Sequence, residues 1–438
     1  MKKFLITLLI FISFIQSSEC FEIVYPKSKN AIINSNSTFF IGHSDTPITI
    51  NGEDVPTVEN GGFAYVVKLS QGKNIFEIKS SENSLTYTIT RPTPSKKATQ
   101  NILSEIPFTE FVVNKDNTAF RSTAKDYGIN RLSLLPKGTR LIVNGEQGNF
   151  YRIYLNKTSN AWIAKSDISP VIDEQTSLAS IKCLKTKHSK DFDYYRFKLS
   201  KKIPFSVIND EKLILSFYNL ENTDVYTFIP DKEKIIGYDY YYDDENIFTL
   251  KVRRKNCKIK PIILIDAGHG GKEKGAIGCC GHYEKDINLS IANLLKDELE
   301  EDFPIVMTRE DDSQVSLQKR VETIKNSNAT ISVSIHANAL PDNADPNKNR
   351  GTSVYYYQNQ AKPLAERILK EITEQVKTNN DRVRRGSLAL VRPTQAVCVL
   401  VEVAYMINPH DNMLLIDENF RKDCAKAIAD GIRKFLQD

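Results

Sequence analysis

Three short stretches of this 438-residue chain carry side chains of the kind that hold a metal ion. They are Ile265-Asp266-Ala267-Gly268-His269-Gly270-Gly271, Glu284-Lys285-Asp286-Ile287-Asn288-Leu289 and Ser334-Ile335-His336-Ala337-Asn338. Each puts a ligand-type residue beside a local structure signal, which argues for one site assembled by a fold and not by a single loop. A catalytic zinc takes three protein ligands and leaves a fourth position open; His269, Glu284 and His336 supply a His, Glu, His set. Glu402 then remains for proton transfer, so the combination points to a hydrolase.

These residues need elements to bring them together. Ile262 to Ile265 reads as a buried strand entering a tight loop at Asp266-Ala267-Gly268, with His269 at its carboxyl end. Thr330 to Ile335 reads as a second strand followed by His336, and Val397 to Val401 as a third closed by Glu402. In open parallel α/β sheets, ligands gather where strands end, because the loops there leave side chains free while the sheet is covered. Glu284 opens a helical pattern in which Ile287, Ile291, Leu294, Leu295 and Leu299 recur near one turn apart. A carboxylate there also suits the helix dipole, which is the plain structural explanation of Glu284. Further apolar faces, Leu317, Val321 and Ile324, then Leu364, Ile368, Ile372 and Val376, then Cys424, Ile428, Ile432 and Phe435, predict helices covering a mostly parallel sheet.

Residues 261–438 resemble the zinc-dependent N-acetylmuramoyl-L-alanine amidases of bacterial cell walls. The matching stretches, in order, are Asp266 to Gly271, Gly275-Ala276-Ile277-Gly278, Glu284-Lys285 with Asn288-Leu289, Thr308-Arg309, Leu317 with Arg320, Ser334 to Ala339, Leu400-Val401-Glu402 and Asn408-Pro409. The resemblance implies that His269, Glu284 and His336 bind one zinc ion and that Glu402 is the catalytic carboxylate. It also implies the bond cut, the amide joining the lactyl group of N-acetylmuramic acid to the L-alanine of the stem peptide in peptidoglycan. An amide is a poor electrophile with a poor leaving group, so zinc polarises the carbonyl and activates water, and Glu402 shuttles the proton to the departing nitrogen.

Three departures from that family are visible. Val397-Cys398-Val399 stands where relatives carry Pro-Ala-hydrophobic, and a strand accepts these residues readily. Val403-Ala404-Tyr405 replaces a small-aromatic pair after the glutamate, which bears on substrate fit. Ala339 to Arg350 is short, polar and rich in Asn, Asp and Pro, where some division-associated relatives carry a long occluding helix. Such a segment cannot form a stable helix of several turns, which predicts an open site with no activator required.

Other residues are weaker candidates. Arg309 and Arg320 suit either substrate carboxylates or structural ion pairs, and Asn338 suits a substrate contact, a ligand-supporting bond or a turn cap. Cys279-Cys280 beside His282 lacks metal-ligand spacing, while Cys398 and Cys424 read as buried hydrophobes. His43, His188 and His410 are scattered.

Everything before residue 256 reads as β-rich, and 438 residues exceed one hydrophobic core. Lys2-Lys3, the apolar run Phe4 to Ile15 and small or polar residues through Cys20 read as an export signal over 1–20, predicting a periplasmic or envelope protein. Its apolar run is short for a membrane span of about 20 residues, and Glu19 argues against lipidation at Cys20. Residues 21–95, with turns at Asn51-Gly52 and Asn60-Gly61-Gly62, resemble an immunoglobulin-like β-sandwich. Arg91 to Gln100 reads as a linker. Residues 101–172, holding Leu135-Pro136-Lys137-Gly138-Thr139 and Ala161-Trp162-Ile163, resemble a bacterial Src-homology-3-like barrel, and 178–256 resemble an AMIN domain. Modules of these kinds would contact the wall. Tyr238 to Asp244 reads as a solvated turn in preference to a binding edge, and residues 259–438 form the catalytic domain.

Charge decides against one class of partner. Lys plus Arg is 59 and Asp plus Glu is 54, a net +5. That is too slight, without a basic stripe, for nucleic acid. A zinc peptidase cutting inside the stem peptide, or a silent wall-binding scaffold, are the other functions compatible with these residues.

Overall fold

The computed structural model describes residues 21–81, 83–93, 102–171, 178–230, 235–255 and 260–437. The export signal, Cys20, Cys257 and most of the linker therefore lie outside the described residues. Among those described, no helix is long and apolar enough to cross a membrane.

The described residues form two compact units, the first made of those between Phe21 and Thr93 with Cys279–Gly281 and Pro341–Pro346. In it, Phe21–Tyr25, Ser37–Ser44 and Gly62–Lys68 make one antiparallel sheet, and five strands between Asn30 and Arg91 make the second. The alternation along Ser37–Ser44 and Gly72–Lys79 turns Phe40, Phe76 and Ile78 inward, where Phe40 meets Phe76 and Tyr87 edge-on at 5.5 and 5.3 Å. Asn51 and Gly52 both take left-handed φ, 52° and 84°, as the tight hairpin joining Ile48–Ile50 to Glu53–Val55 demands.

The second unit begins with a seven-stranded sheet between Ser104 and Pro170, ordered with Arg131–Leu135 at one end and Ile168–Pro170 at the other. A five-stranded and a three-stranded sheet follow between Ile181 and Arg254. Their inward residues join one apolar cluster with the preceding strands: Leu141, Val143 and Ile153 on one side, Phe197, Phe205, Phe217 and Phe248 on the other. Tyr238 to Asp244 departs from the expected turn. Ile235–Tyr242 is a strand paired with Ile247–Arg254, and Tyr238 is buried, because an alternating aromatic run suits a half-buried pleated surface.

The carboxyl-terminal part is α/β, and its elements are numbered here: β1 Ile263–Ala267, α1 Glu284–Leu299, β2 Ile305–Met307, α2 Leu317–Asn326, β3 Ile331–Asn338, β4 Thr352–Tyr356, α3 Lys362–Gln375, β5 Asn380–Arg385, β6 Val397–Tyr405, α4 Pro409–Ile416 and α5 Glu418–Gln437. The sheet order is β2-β1-β3-β6-β4-β5. Every neighbouring pair is parallel except β4 against β6, so the sheet is mixed. The exception has a local cause: the segment between β3 and β4 contains turns and no crossover helix, so β4 returns in the opposite direction.

The helical periodicities hold with small corrections. Ile287, Ile291, Leu295 and Leu299 of α1 are buried, as are Leu364, Ile368 and Ile372 of α3 and Cys424, Ile428, Ile432 and Phe435 of α5. Leu317 departs from the expected apolar face at 58% exposed, because it is the first residue after the Ser316 cap and points away from the core. Ile324 of α2 packs with Leu264 and Cys398, while α5 packs on both α1 and α3, and α1 reaches β1 and β3.

Candidate active site

β1, β3 and β6 are adjacent and parallel, so their carboxyl ends lie side by side. His269 follows β1. His336 and Glu402 lie within β3 and β6, which run further than the apolar runs indicate, and they face each other across the ladder in register. The longer strands arise because the ladder continues past His336 through a bulge to Asn338 opposite Tyr405.

Glu284, first residue of α1, closes the constellation. Its Oε1 lies 3.2 Å from His269 Nε2 and 3.0 Å from His336 Nδ1, and one ligand atom from each of the three falls within 4.8 Å of the others. Tetrahedral ligands about 2.0–2.1 Å from zinc would stand ~3.3 Å apart, so this donor set fits such an ion. The glutamate is itself held: Ala276 N donates to its Oε2 at 2.8 Å, and Asn288 Nδ2 and Ala337 N donate to Oε1 at 3.2 and 3.3 Å. Burial alone would raise the Glu284 carboxyl, yet the two imidazoles outweigh burial and hold it well below the usual carboxylate range. Burial likewise opposes charge on His336, but Glu284 and Glu402 overcome it and raise the imidazole. The pocket thus favours positive charge, whether a proton or a cation.

Glu402 sits apart from this bonded set. Its Oε2 is buried with no partner among the described residues. Burial, reinforced by the charge of Glu284, pushes the carboxyl up to about 7 against the opposing pull of His336. A carboxyl poised there can take and release a proton near neutral pH.

The loop that presents His269 is tightly braced. Asp266 is fully buried and accepts from Thr308 Oγ1 and Ser334 Oγ at 2.6 Å each and from Arg320 Nη1 at 2.7 Å. Burial would raise its carboxyl, but Arg320 and the two hydroxyls prevail and lower it. Arg320 also donates to Ala267 O, His269 O and Val315 O, and Arg309 to Ala267 O, Gly268 O, Lys285 O and Asp311 O. Both arginines are 4% exposed. Their donors are engaged by the loop and by Asp266, the structural one of the two alternatives that the sequence leaves open for Arg309 and Arg320. The bracing has work to do, because His269 holds φ of 60°, a region a non-glycine residue adopts at a cost. At Gly275, φ 69°, a Cβ would fall 2.4 Å from Glu284 Oε2 and 2.7 Å from His269 Cδ2, so two metal-ligand candidates close directly over this glycine.

Asn338 ends β3 partly exposed, and its carbonyl accepts from Met406 N. Sequence reasoning assigned no role to Asp266, Thr308, Ser334 or Asn288. Their place inside or beside the motifs was the available signal, since a loop carrying a metal ligand needs buried acceptors and donors around it. Ser353 of β4, opposite Glu402 across the ladder to β6 and fully buried, gave none.

The sequence profile of N-acetylmuramoyl-L-alanine amidases matches residues 263–434. The N-acetylmuramoyl-L-alanine amidase AmiC of Neisseria meningitidis serogroup B is 29% identical over 220 residues, 40% of this chain and 53% of the relative. LytC of Bacillus subtilis, also an N-acetylmuramoyl-L-alanine amidase, is 35% identical over 182 residues, 40% of this chain and 36% of the relative. The chain therefore spans about half or less of the length of these two proteins. The uncharacterized protein YqiI of Bacillus subtilis is 32% identical over 174 residues, with 84% of its length covered. Among solved structures, the N-acetylmuramoyl-L-alanine amidase of Nostoc punctiforme is 38% identical, covering 41% of this chain and 99% of that one, with a TM-score of 0.39.

Proposed function

Because this chain belongs to the N-acetylmuramoyl-L-alanine amidase family, we propose that it hydrolyses the amide between N-acetylmuramic acid and L-alanine in peptidoglycan, with one zinc ion held by His269, Glu284 and His336. The observation that carries the reading is the meeting of those three donors beside a separate, unpaired Glu402. Zinc at such a site supplies Lewis-acid chemistry, polarisation of a carbonyl and activation of water.

The protein's own groups do the rest. Glu402, poised near neutrality, receives the proton of the attacking water as the new carbon–oxygen bond forms. It then delivers that proton to the L-alanine nitrogen as the carbon–nitrogen bond breaks, leaving a lactyl carboxylate and a free amine. Asn338, at the exposed end of β3, is placed to hold substrate polar groups. Arg309 and Arg320 keep His269 in its left-handed conformation. The turn-rich segment after Asn338 carries no helix, which supports a site open without an activator.

The remaining assignments belong to the same reading. Residues 21–95 act as an immunoglobulin-like module, 101–172 as a bacterial Src-homology-3-like barrel and 178–256 as an AMIN-like domain, with 259–438 catalytic. These modules serve wall contact for an exported enzyme. Two sheets with a shared aromatic core before residue 93, and antiparallel sheets after it, support the module types.

The test is mass spectrometry of peptidoglycan fragments after incubation with the full chain, with zinc, with chelator and as Glu402→Gln. Zinc-dependent release of intact stem peptides with a free L-alanine amine, lost in the variant, is expected. Cuts within the peptide would transfer the assignment to a peptidase.

A further inference from the structure

A cavity of about 620 Å³ opens in the second unit, away from the residues of the metal site. Its walls come from Arg131–Leu135, from the strands Phe205–Asn209 and Ile235–Tyr242, and from the segment leading into β6. That volume is in the range of small-ligand sites, which favour junctions between packed parts of a protein.

The charges around it are unusual. Arg131 stands directly across an antiparallel ladder from Arg121, a like-charge pairing that costs stability. Arg121 is buried and has Asp126 at 3.4 Å. Arg131 and Arg392, which both line the cavity and are only partly exposed, have no carboxylate within 4 Å among the described residues. Arg392 is steadied by the Ser387 carbonyl at 2.9 Å. Burial, then the nearness of Arg392 and Arg121, pushes the Arg131 guanidinium down.

The acidic side chains of the lining are already engaged. Asp210 accepts from Asn359 at 2.9 Å and lies 3.7 Å from Arg385. Asp239 accepts from Gln395 at 3.0 Å, and Asp116 from Lys137 N at 2.8 Å. Tyr240 and Tyr357 add aromatic surface to the same wall. The fold therefore holds two uncompensated guanidinium groups against their mutual repulsion, over a concave surface with aromatic faces. An oxyanion would remove that repulsion and accept the paired N–H donors that guanidinium offers.

We propose that this cavity is a second ligand site, in which Arg131 and Arg392 grip the carboxylate or sulfate-like oxyanion of a small ligand whose apolar part rests on Tyr240 and Tyr357. The site is separate from the hydrolytic centre, so it stands or falls independently of the proposed reaction.

The full chain is titrated by calorimetry with sodium sulfate and, separately, with an acetylated tripeptide bearing a free terminal carboxylate, at constant ionic strength. Saturable one-site binding of at least one probe is expected, weakened tenfold or more in Arg131→Gln and again in Arg392→Gln, and unchanged in Glu402→Gln. Binding of sulfate alone identifies a tetrahedral anion as the natural class; binding of the peptide alone, lost on amidation of its carboxylate, identifies a peptide terminus. Absence of saturation with both probes, or unchanged affinity in Arg131→Gln, overturns the proposal. Melting of the anion-free variants adds a second reading: Arg131→Gln melts at or above the parent because a repulsive charge is gone. A lower melting temperature would mark the arginine as a structural tie and overturn the site.

Discussion

Arg320→Met separates a positioning arginine from a substrate-binding one. Arg320 is 4% exposed and Asp266 is fully buried, and the variant leaves that carboxylate without the cation 2.7 Å away. Removing one partner of a buried pair costs about 3–5 kcal/mol, a large part of the 5–15 kcal/mol typical of a folded domain. The carbonyls of Ala267 and His269 also lose a donor. Since His269 O is one of them, the left-handed ligand residue should loosen and metal affinity fall by about 10–100-fold, as for other supporting partners of metal ligands. Arg320→Lys keeps the charge but cannot span Asp266, Ala267 and His269, so it should cost about 1–2 kcal/mol. With Asp266→Asn added, Arg320→Met should cost much less than the sum of the two single changes.

Acid adds a check of sign. The Asp266 carboxyl is lowered in the folded protein, so its stabilisation is present above the unfolded carboxylate pKa and is lost as pH falls through the folded value. The parent should therefore lose stability on acidification in a step that Asp266→Asn lacks. Denaturant unfolding and competition with a chromophoric chelator supply both numbers. Arg320→Met with stability within 1 kcal/mol of the parent, unchanged metal affinity and only a raised KM would refute the positioning role and restore substrate binding.

Glu402→Gln should lower kcat by at least about 10²–10⁴ while metal content stays at the parent level; its melting temperature should hold or rise, since Oε2 has no partner to lose among the described residues. Gly275→Ala should lose bound metal and destabilise by about 1–3 kcal/mol, because the methyl meets both Glu284 and His269 at a left-handed φ; metal analysis beside a thermal melt checks it. Chelation should lower the melting temperature reversibly, and zinc at 1,000 times its Kd should restore about 4 kcal/mol by mass action; a melt indifferent to metal would count against a shared ion at His269, Glu284 and His336.

The three donors that come together were legible because each sits beside a strong local signal. His269 follows an apolar run and glycines, and Glu284 opens a helix whose buried residues recur at regular spacing. What the residues could not disclose is partnership across long separations. Arg320 and Asp266 are 54 positions apart, and nothing local distinguishes a guanidinium bound to a loop carbonyl from one waiting for substrate. The reversed direction of β4 was hidden for a similar reason, since strand direction depends on where the intervening segment goes. Tyr238 was misplaced because its neighbours Asp239, Asp243 and Asp244 suggested solvent, whereas alternation along the strand decided the matter.

The continuous apolar cluster from Phe111 to Val252 bears on how such a chain can be cut and recombined. A boundary drawn near residue 175 falls between two stretches that look like independent cassettes, yet Leu141 and Val143 share their interior with Phe205 and Phe248. Neither half could be transplanted alone without baring that interior to water, so the pair should travel, fold and be inherited as one block.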